Sequence, residues 1–287
     1  MLEITANQGL ILSLRKALAP LTDISVKAII KCSSEGIELM ALKTDSIMGV
    51  LKFRSLDFQR FVCDTEWISW VNLYDLYQTL SIVDDEEYCT ATTNYGLSNV
   101  DDEEYGSATI NYEIGDPELQ FVFKNCRTLN KLFCRIELTE MDPDEIVPDE
   151  SKTEYNLVAA IPSEEFRCIL KHLSFFGPQV FIAITDKQVT FSALNAEIVL
   201  KKEKRILVSN TYLALGVVCL QLSECIIGGY AEDLTVQLSF EMEHIRPLIN
   251  ASLLSNRVWI LHSDESFTLL QLNFPVGALG NIMFYFI

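Results

Sequence analysis

The chain has 287 residues, 49% of them apolar, and a formal net charge of −18 that arises from 40 acidic and 22 basic residues. This length predicts about two domains, and this apolar content excludes a disordered chain. The excess of acid excludes a protein that coats nucleic acid with its whole surface, but it allows a local basic patch.

In the first half of the chain, sequence patterns predict two helices and a strand, and a strongly acidic segment follows them. Apolar residues at helical spacing predict one helix over residues 14–21 and another over residues 73–80. The alternation of Ile37, Leu39 and Ala41 predicts a strand over Gly36–Leu42. The segment Asp84–Glu104 then contains eight acidic residues and no basic one, which is typical of a solvated loop.

An internal duplication with a period of 17 residues lies in this acidic region. Val83–Tyr88 is repeated as Val100–Tyr105, and Ala91–Tyr95 is repeated with one change as Ala108–Tyr112. Two copies are too few for a repeat protein. We interpret the duplication as a hairpin-like insertion at a sheet edge, over residues 83–112.

Residues 141–154 have the composition of a linker. Six of these fourteen residues are acidic, and the segment includes Pro143 and Pro148. We therefore predict a first domain over residues 1–140 and a second domain over residues 155–287, joined by this linker.

The second half of the chain repeats the first at an offset of 152 residues. The helical spacing returns over residues 166–173, and the strand pattern returns over Gln188–Leu194. A fourth helix is predicted near residues 242–249, where Pro247 is expected to kink or end it. Two further strands are predicted, at Val258–Leu261 and Ser266–Phe274. The sequence therefore predicts two copies of one domain that mixes helices and strands.

Neither a membrane span nor a metal site is predicted. Ile206–Ser223 has 18 residues without a charge, but Arg205 and Glu224 bound it and polar residues interrupt it, which favours two buried strands around a turn. None of the eight cysteines forms a C-x-x-C pair, and the three histidines lack zinc-ligand spacing. We expect buried thiols in a reducing compartment.

Catalytic motifs are also missing from the sequence. It contains no phosphate-binding loop, dinucleotide fingerprint, zinc-protease helix or nucleophile elbow. His172 beside Lys171 and His244 beside Glu243 could form acid–base pairs, but a single histidine on a helix is more often structural. We therefore expect no enzymatic activity and no cofactor.

An ordered set of short pieces runs along nearly the whole chain. The pieces are Gln8-Gly9, Gly36–Leu42, Cys63-Asp64, Val71–Leu73, Tyr155, Ile161–Ser163, Glu165-Phe166, Leu173-Ser174, Phe191–Ala193, Val236–Phe240, Leu279-Gly280 and Phe284-Tyr285. No single piece is diagnostic. Together they resemble the proliferating cell nuclear antigen family of eukaryotic sliding clamps.

This resemblance implies an α+β fold of two tandem sliding-clamp domains, with helices on an inner face and antiparallel sheets outside. Three subunits would close into a homotrimer around duplex DNA. The resemblance further implies a nuclear, non-enzymatic processivity factor of DNA replication and repair. Its partners would be DNA polymerase, other proteins with a short clamp-binding motif, and a clamp loader.

The resemblance also assigns residues to three surfaces. The DNA-facing residues would be Arg15, Lys16, Arg167, Lys171, His172 and Arg246. The partner-motif groove would contain Leu42, Ser46, Ile47, Ile146, Val147, Pro148, Phe267, Phe284, Tyr285, Phe286 and Ile287, although the aromatic end of the chain is equally consistent with sheet core. The subunit interface would contain Leu132, Phe133, Cys134, Arg135, Ile136, Ala196, Glu197, Ile198, Val199 and Leu200.

Departures from the family pattern leave two alternatives open. Gln78, Ser81, Glu243 and Asn250 stand where basic residues are expected, so DNA tracking should be weaker than in close relatives. One alternative is a divergent clamp paralogue in a heteromeric checkpoint-type ring. The other is a β-rich interaction protein with no role on DNA.

Overall fold

The computed structural model describes residues 1–43, 46–82, 107–113, 115–124, 130–140, 155, 157–201, 205–209, 225–228, 236–263, 270–276 and 280–286. The chain divides into two compact units, the first mainly before residue 147 and the second mainly after it. Residues 43 and 46–49 group with the second unit, and Gly280 groups with the first. The predicted linker and most of the predicted insertion lie outside the described residues.

The first unit contains strands and two helices. In chain order they are β1 (Leu2–Asn7), α1 (Gln8–Thr22), β2 (Lys27–Ser33), β3 (Gly36–Lys43), β4 (Ile47–Arg54), β5 (Arg60–Cys63), β6 (Trp67–Asn72), α2 (Leu73–Ser81), β7 (Ser107–Tyr112), β8 (Glu118–Lys124) and β9 (Lys131–Thr139). Strand β1 pairs antiparallel with β5 and β7, and β7 continues through β8 to β9. Strand β2 pairs antiparallel with β3 and β6.

The second unit has the same plan with one addition. Its elements are β10 (Leu157–Pro162), α3 (Ser163–Leu173), β11 (Gln179–Ile184), β12 (Gln188–Ala193), β13 (Ala196–Lys201), β14 (Arg205–Ser209), β15 (Ile226–Gly228), β16 (Val236–Glu241), α4 (Ile245–Ser252), β17 (Arg257–His262), β18 (Leu270–Pro275) and β19 (Asn281–Phe286). Strand β10 pairs with β15 and β17, as β1 pairs with β5 and β7. Strand β11 pairs with β12 and β16, as β2 pairs with β3 and β6.

This correspondence confirms the α+β fold of two tandem domains. The order strand, helix, three strands recurs in both units, and the second helix of each unit follows strands β6 and β16. Strand β14 pairs antiparallel with β13 and has no counterpart among the described strands of the first unit. As far as its described residues show, the second unit is therefore a copy of the first with an additional strand.

The predicted apolar spacing of the helices corresponds to their buried faces. Helix α1 buries Leu14, Leu18 and Leu21, and α3 buries Phe166 and Leu170. Full burial of one such side chain contributes about 1.5–3 kcal/mol relative to leaving it exposed. Packing against the sheets therefore stabilises both helices more than their intrinsic propensity does.

Pro247 does not kink or end the fourth helix, which corrects the sequence prediction. Helix α4 begins at Ile245, after a short 3-10 turn over Met242–His244. Pro247 therefore lies in the first helical turn, where backbone N–H groups have no partner within the helix. Its missing N–H costs no helical hydrogen bond there.

Gly36 is required at the turn between β2 and β3. Its φ is +148°, and a Cβ at this position would lie 1.9 Å from the carbonyl oxygen of Phe53. Only a residue without a side chain fits this approach of two backbones. The glycine thus permits the backbone of β4 to pass close to the start of β3.

The uncharged segment Ile206–Ser223 is described only at its start, where β14 is a strand. No helix in the described ranges has the length and apolar content needed to cross a membrane.

The buried thiol of Cys32 predicts a loss of stability in alkali. Cys32 is 0% exposed in β2, and burial raises the pKa of its thiol well above the ordinary value. The thiol ionises near pH ~8.5 in the unfolded chain but stays protonated in the folded chain. Rising pH therefore lowers the free energy of the unfolded state relative to the folded state. We expect this group to reduce the free energy of unfolding by up to about 1.4 kcal/mol per pH unit above that pH.

Denaturant titrations between pH 8 and 10 measure this effect. A Cys32→Ala variant should lack this component of the pH dependence. In the native protein, iodoacetamide should modify the exposed Cys168 well before Cys32. Equal labelling rates for the two thiols would contradict the prediction.

Candidate functional site

Helix α1 presents basic residues opposite its buried face. The Asn7 side chain begins the helix by accepting a hydrogen bond of 2.8 Å from the Leu10 amide. Lys16 is exposed and Arg15 is half-buried, while Ala17 and Leu18 point into the core. The two cations are therefore positioned by the packing of their neighbours.

Helix α2 packs against α1 and carries no basic residue. Asn72 caps it, since its side-chain oxygen accepts from the amides of Tyr74 and Asp75 at 2.9 and 3.2 Å. The Tyr74 side chain is 60% exposed. In the first unit, the positive charge of this helix pair thus comes from α1.

Helices α3 and α4 form the matching pair in the second unit. Lys171 and His172 are exposed in the last turn of α3, where positive charge is stabilised by the helix dipole. The first turn of α3 carries the complementary acidic residues Glu164 and Glu165. Arg246 is exposed in the first turn of α4.

Arg167 has a structural role that the sequence did not indicate. Its Nη1 donates a 2.6 Å hydrogen bond to the backbone carbonyl of Ser252, at the end of α4. Ser252 is fully buried and is the last residue of α4, so its carbonyl has no hydrogen-bond partner within the helix. One of the predicted DNA-facing cations therefore holds two helices together.

The predicted groove residues divide by burial. Leu42 is 38% exposed and Ser46 is half-buried, whereas Ile47, Phe284, Tyr285 and Phe286 are at most 6% exposed. In this structure the last three contribute to packing, because β19 is buried along most of its length. The remaining predicted groove residues lie outside the described part of the chain: Ile146, Val147, Pro148, Phe267 and Ile287.

Strand β9 has an open edge in the described part of the chain. It pairs with β8 over residues 131–137, and on its other side only Leu138 and Thr139 pair with β6. Phe133 is 67% exposed on this strand, and Arg135 forms an ion pair of 3.3 Å with Glu118. An exposed edge with a large apolar side chain is a surface that can accept another strand.

Strand β13, which contains the predicted interface residues 196–200, has a neighbour on each side among the described strands. It pairs with β12 along its whole length, and with β14 from Ala196 to Leu200. The hydrogen-bonding groups of β13 are therefore shared with two neighbours within the same unit. The outermost described strand of this sheet is β14.

A second charged cluster lies where β16 ends and the 3-10 turn begins. The Oε1 atom of Glu243 accepts a 3.0 Å hydrogen bond from Lys43 Nζ and lies 3.4 Å from Nε2 of His244. A carboxylate oxygen of Glu241 is within 4.8 Å of both Glu243 and His244. Among the described residues, this is the group whose acidic and imidazole ligands could hold a metal ion.

The pKa values in this cluster are shifted by burial and by charge. The hydrogen bond and positive charge of Lys43 lower the pKa of Glu243. Burial lowers the pKa of His244, against the opposite effect of Glu243 and Glu241. His244 is only 3% exposed, so the sequence-based interpretation as a structural histidine agrees with its burial, although the neighbouring Lys43 was not foreseen.

Comparisons with known proteins identify the family. Residues 1–102 match the N-terminal domain of proliferating cell nuclear antigen, and residues 148–287 match its C-terminal domain. The chain belongs to the proliferating cell nuclear antigen family. It is also similar to proliferating cell nuclear antigen 2 of Drosophila melanogaster, with 25% identity over 293 residues, which cover 99% of this chain and 96% of that protein. Membership of this family indicates a function of the sliding-clamp type.

Proposed function

We propose that this chain is a subunit of a homotrimeric ring that encircles duplex DNA and tethers DNA polymerase and repair proteins to it. The observation that carries the proposal is the recurrence of one domain, each copy with a helix pair that bears exposed cations. A ring that slides must attract phosphates without reading bases, and lysine and arginine on helices serve that purpose.

The charge distribution supports a localised DNA surface. Three copies would carry a formal charge of −54, so most of the ring surface would repel DNA. Positive charge on α1 and α3 would then define where the duplex can lie. The chain would act as a nuclear factor, placed on DNA by a clamp loader, that raises the effective concentration of its partners at a template.

Retention on DNA of different topology tests the proposal. The loaded protein should remain on a nicked circular duplex and leave when that duplex is cut once. Equal release from the circular and the linear molecule would show binding without encirclement and would contradict the proposal. No binding to either form would favour an interaction protein without a role on DNA.

The described edges favour a second candidate, a subunit of a heteromeric ring. Strand β9 has an open edge, whereas β13, the strand predicted to receive it, is already covered by β14. A different chain with an open edge could take the place of a second copy. Light scattering on the purified chain separates the two cases: a trimer at micromolar concentration supports the homomeric ring, and a monomer supports the heteromeric one.

Replacing exposed cations should weaken the salt dependence of DNA binding. We choose Lys16→Gln with Lys171→Gln, because Arg167 also holds Ser252 and its loss would change the fold. The slope of log K against log salt concentration should fall by about 0.9 for each phosphate that the variant no longer neutralises. Lys187→Gln is the matched control, since Lys187 is 85% exposed at a loop between β11 and β12. An unchanged slope in the double variant would contradict the assignment.

A further inference from the structure

The cluster at the end of β16 contains a buried nitrogen that lacks a hydrogen bond. His244 is 3% exposed, and its Nε2 atom has no hydrogen-bond partner among the described residues. The Oε1 atom of Glu243 lies 3.4 Å from this Nε2 atom. A buried polar atom of this kind destabilises the fold unless a donor or a cation satisfies it.

Two acidic side chains lie beside this nitrogen. Glu241 and Glu243 contribute two carboxylates, and Lys43 forms an ion pair with Glu243. Both carboxylates have exposed surface, so a dissolved ion can reach them. Burial favours the neutral form of His244, which is the form that binds metals.

We propose that Glu241, Glu243 and His244 bind a divalent transition-metal ion. Two carboxylate oxygens and one imidazole nitrogen are a donor set that manganese, iron and zinc ions accept. Two neighbouring ligand atoms at about 2.1 Å from an ion lie about 3.0 Å apart in octahedral geometry and about 3.4 Å apart in tetrahedral geometry. The Nε2 atom of His244 and the Oε1 atom of Glu243 are 3.4 Å apart, so they can reach either arrangement with little movement. The exposed side chain of Glu241 completes the set by a change of rotamer.

Lys43 is the internal competitor for this site. Its Nζ atom donates to Oε1 of Glu243, the oxygen that the ion would use. A bound ion therefore displaces the ammonium group, and the metal-free protein keeps Lys43 as its substitute cation. The pair is about half exposed, so its loss costs little, and Lys43→Met should strengthen metal binding about two- to fivefold.

Manganese titration of the whole protein tests the site. Mn²⁺ suits this test because it prefers oxygen and nitrogen ligands, and the eight cysteines do not compete for it. Electron paramagnetic resonance of free Mn²⁺ gives the affinity and the stoichiometry. We expect one saturable site in the wild type, at least about tenfold weaker binding in Glu243→Gln and Glu241→Gln, and tighter binding in Lys43→Met.

Histidine resonances locate the ion independently. The chain has only three histidines, His172, His244 and His262, and paramagnetic Mn²⁺ should broaden the signal of His244 first. Glu35→Gln, a charge change at the exposed turn between β2 and β3, is the matched control and should leave both readouts unaltered. Equal broadening of all three signals, or the same affinity in Glu243→Gln, would show weak binding to surface acid and would overturn the site. Neither readout depends on whether the protein encircles DNA.

Discussion

Phe133→Glu should dissociate the proposed ring into monomers without unfolding the chain. Phe133 is 67% exposed on the open edge of β9 and contributes little to the interior of its own unit. At a subunit interface, loss of a large aromatic side chain costs about 2 kcal/mol or more, and a buried carboxylate adds to that cost. This is at least about thirtyfold per interface. A closed trimer has three such interfaces, so the total effect is larger.

Mass photometry at nanomolar concentration measures the change from trimer to monomer. Leu56→Glu is the matched control, because Leu56 is 90% exposed on a 3-10 turn far along the chain from β9. Thermal unfolding should be similar for both variants and the wild type. A trimer that withstands the Phe133 substitution would exclude the β9 edge as the subunit interface.

Phe166→Ala should destabilise the second unit by about 3–5 kcal/mol. Phe166 is 0% exposed on α3, with its ring 6.3 Å from that of Phe191 and 5.9 Å from that of Phe274, both in edge-on geometry. Removal of the ring leaves a cavity between the helix and two strands that a close-packed interior cannot fill. For a domain of this size, the loss corresponds to a fall in melting temperature of about 10 °C.

Phe175 provides the control for this substitution. It lies just after α3 and is 85% exposed, so Phe175→Ala should change the free energy of unfolding by less than about 0.5 kcal/mol. Urea titration of both variants, followed by circular dichroism, gives the comparison. Similar losses for the two variants would show that Phe166 does not anchor α3.

The sequence predicted the parts of this fold that depend on local periodicity. Helices α1 and α3 and strand β12 each bury one face, so their apolar residues recur at the period of the element. The apolar residues at the end of the chain do not alternate with polar ones, so their sequence is equally consistent with a partner groove or with the sheet core. The structure places Phe284 and Phe286 in the core because β19 is covered on both faces.

Interactions between distant residues could not be predicted from one sequence. Lys43 and Glu243 are 200 positions apart, and Arg167 reaches a carbonyl 85 positions away. Such pairs form only after the strands and helices that carry them have packed, so no local pattern encodes them.

In the proposed ring, strand β14 would affect how fast subunits join at β13. Five residue pairs connect β14 to β13. A strand from another subunit could form hydrogen bonds with this edge of β13 only after β14 had separated from it. The rate of association would then be limited by the separation of β14 from β13 instead of by diffusional encounter. Its rate would level off as the concentration of the incoming subunit increased, and an assembled ring would exchange its members slowly.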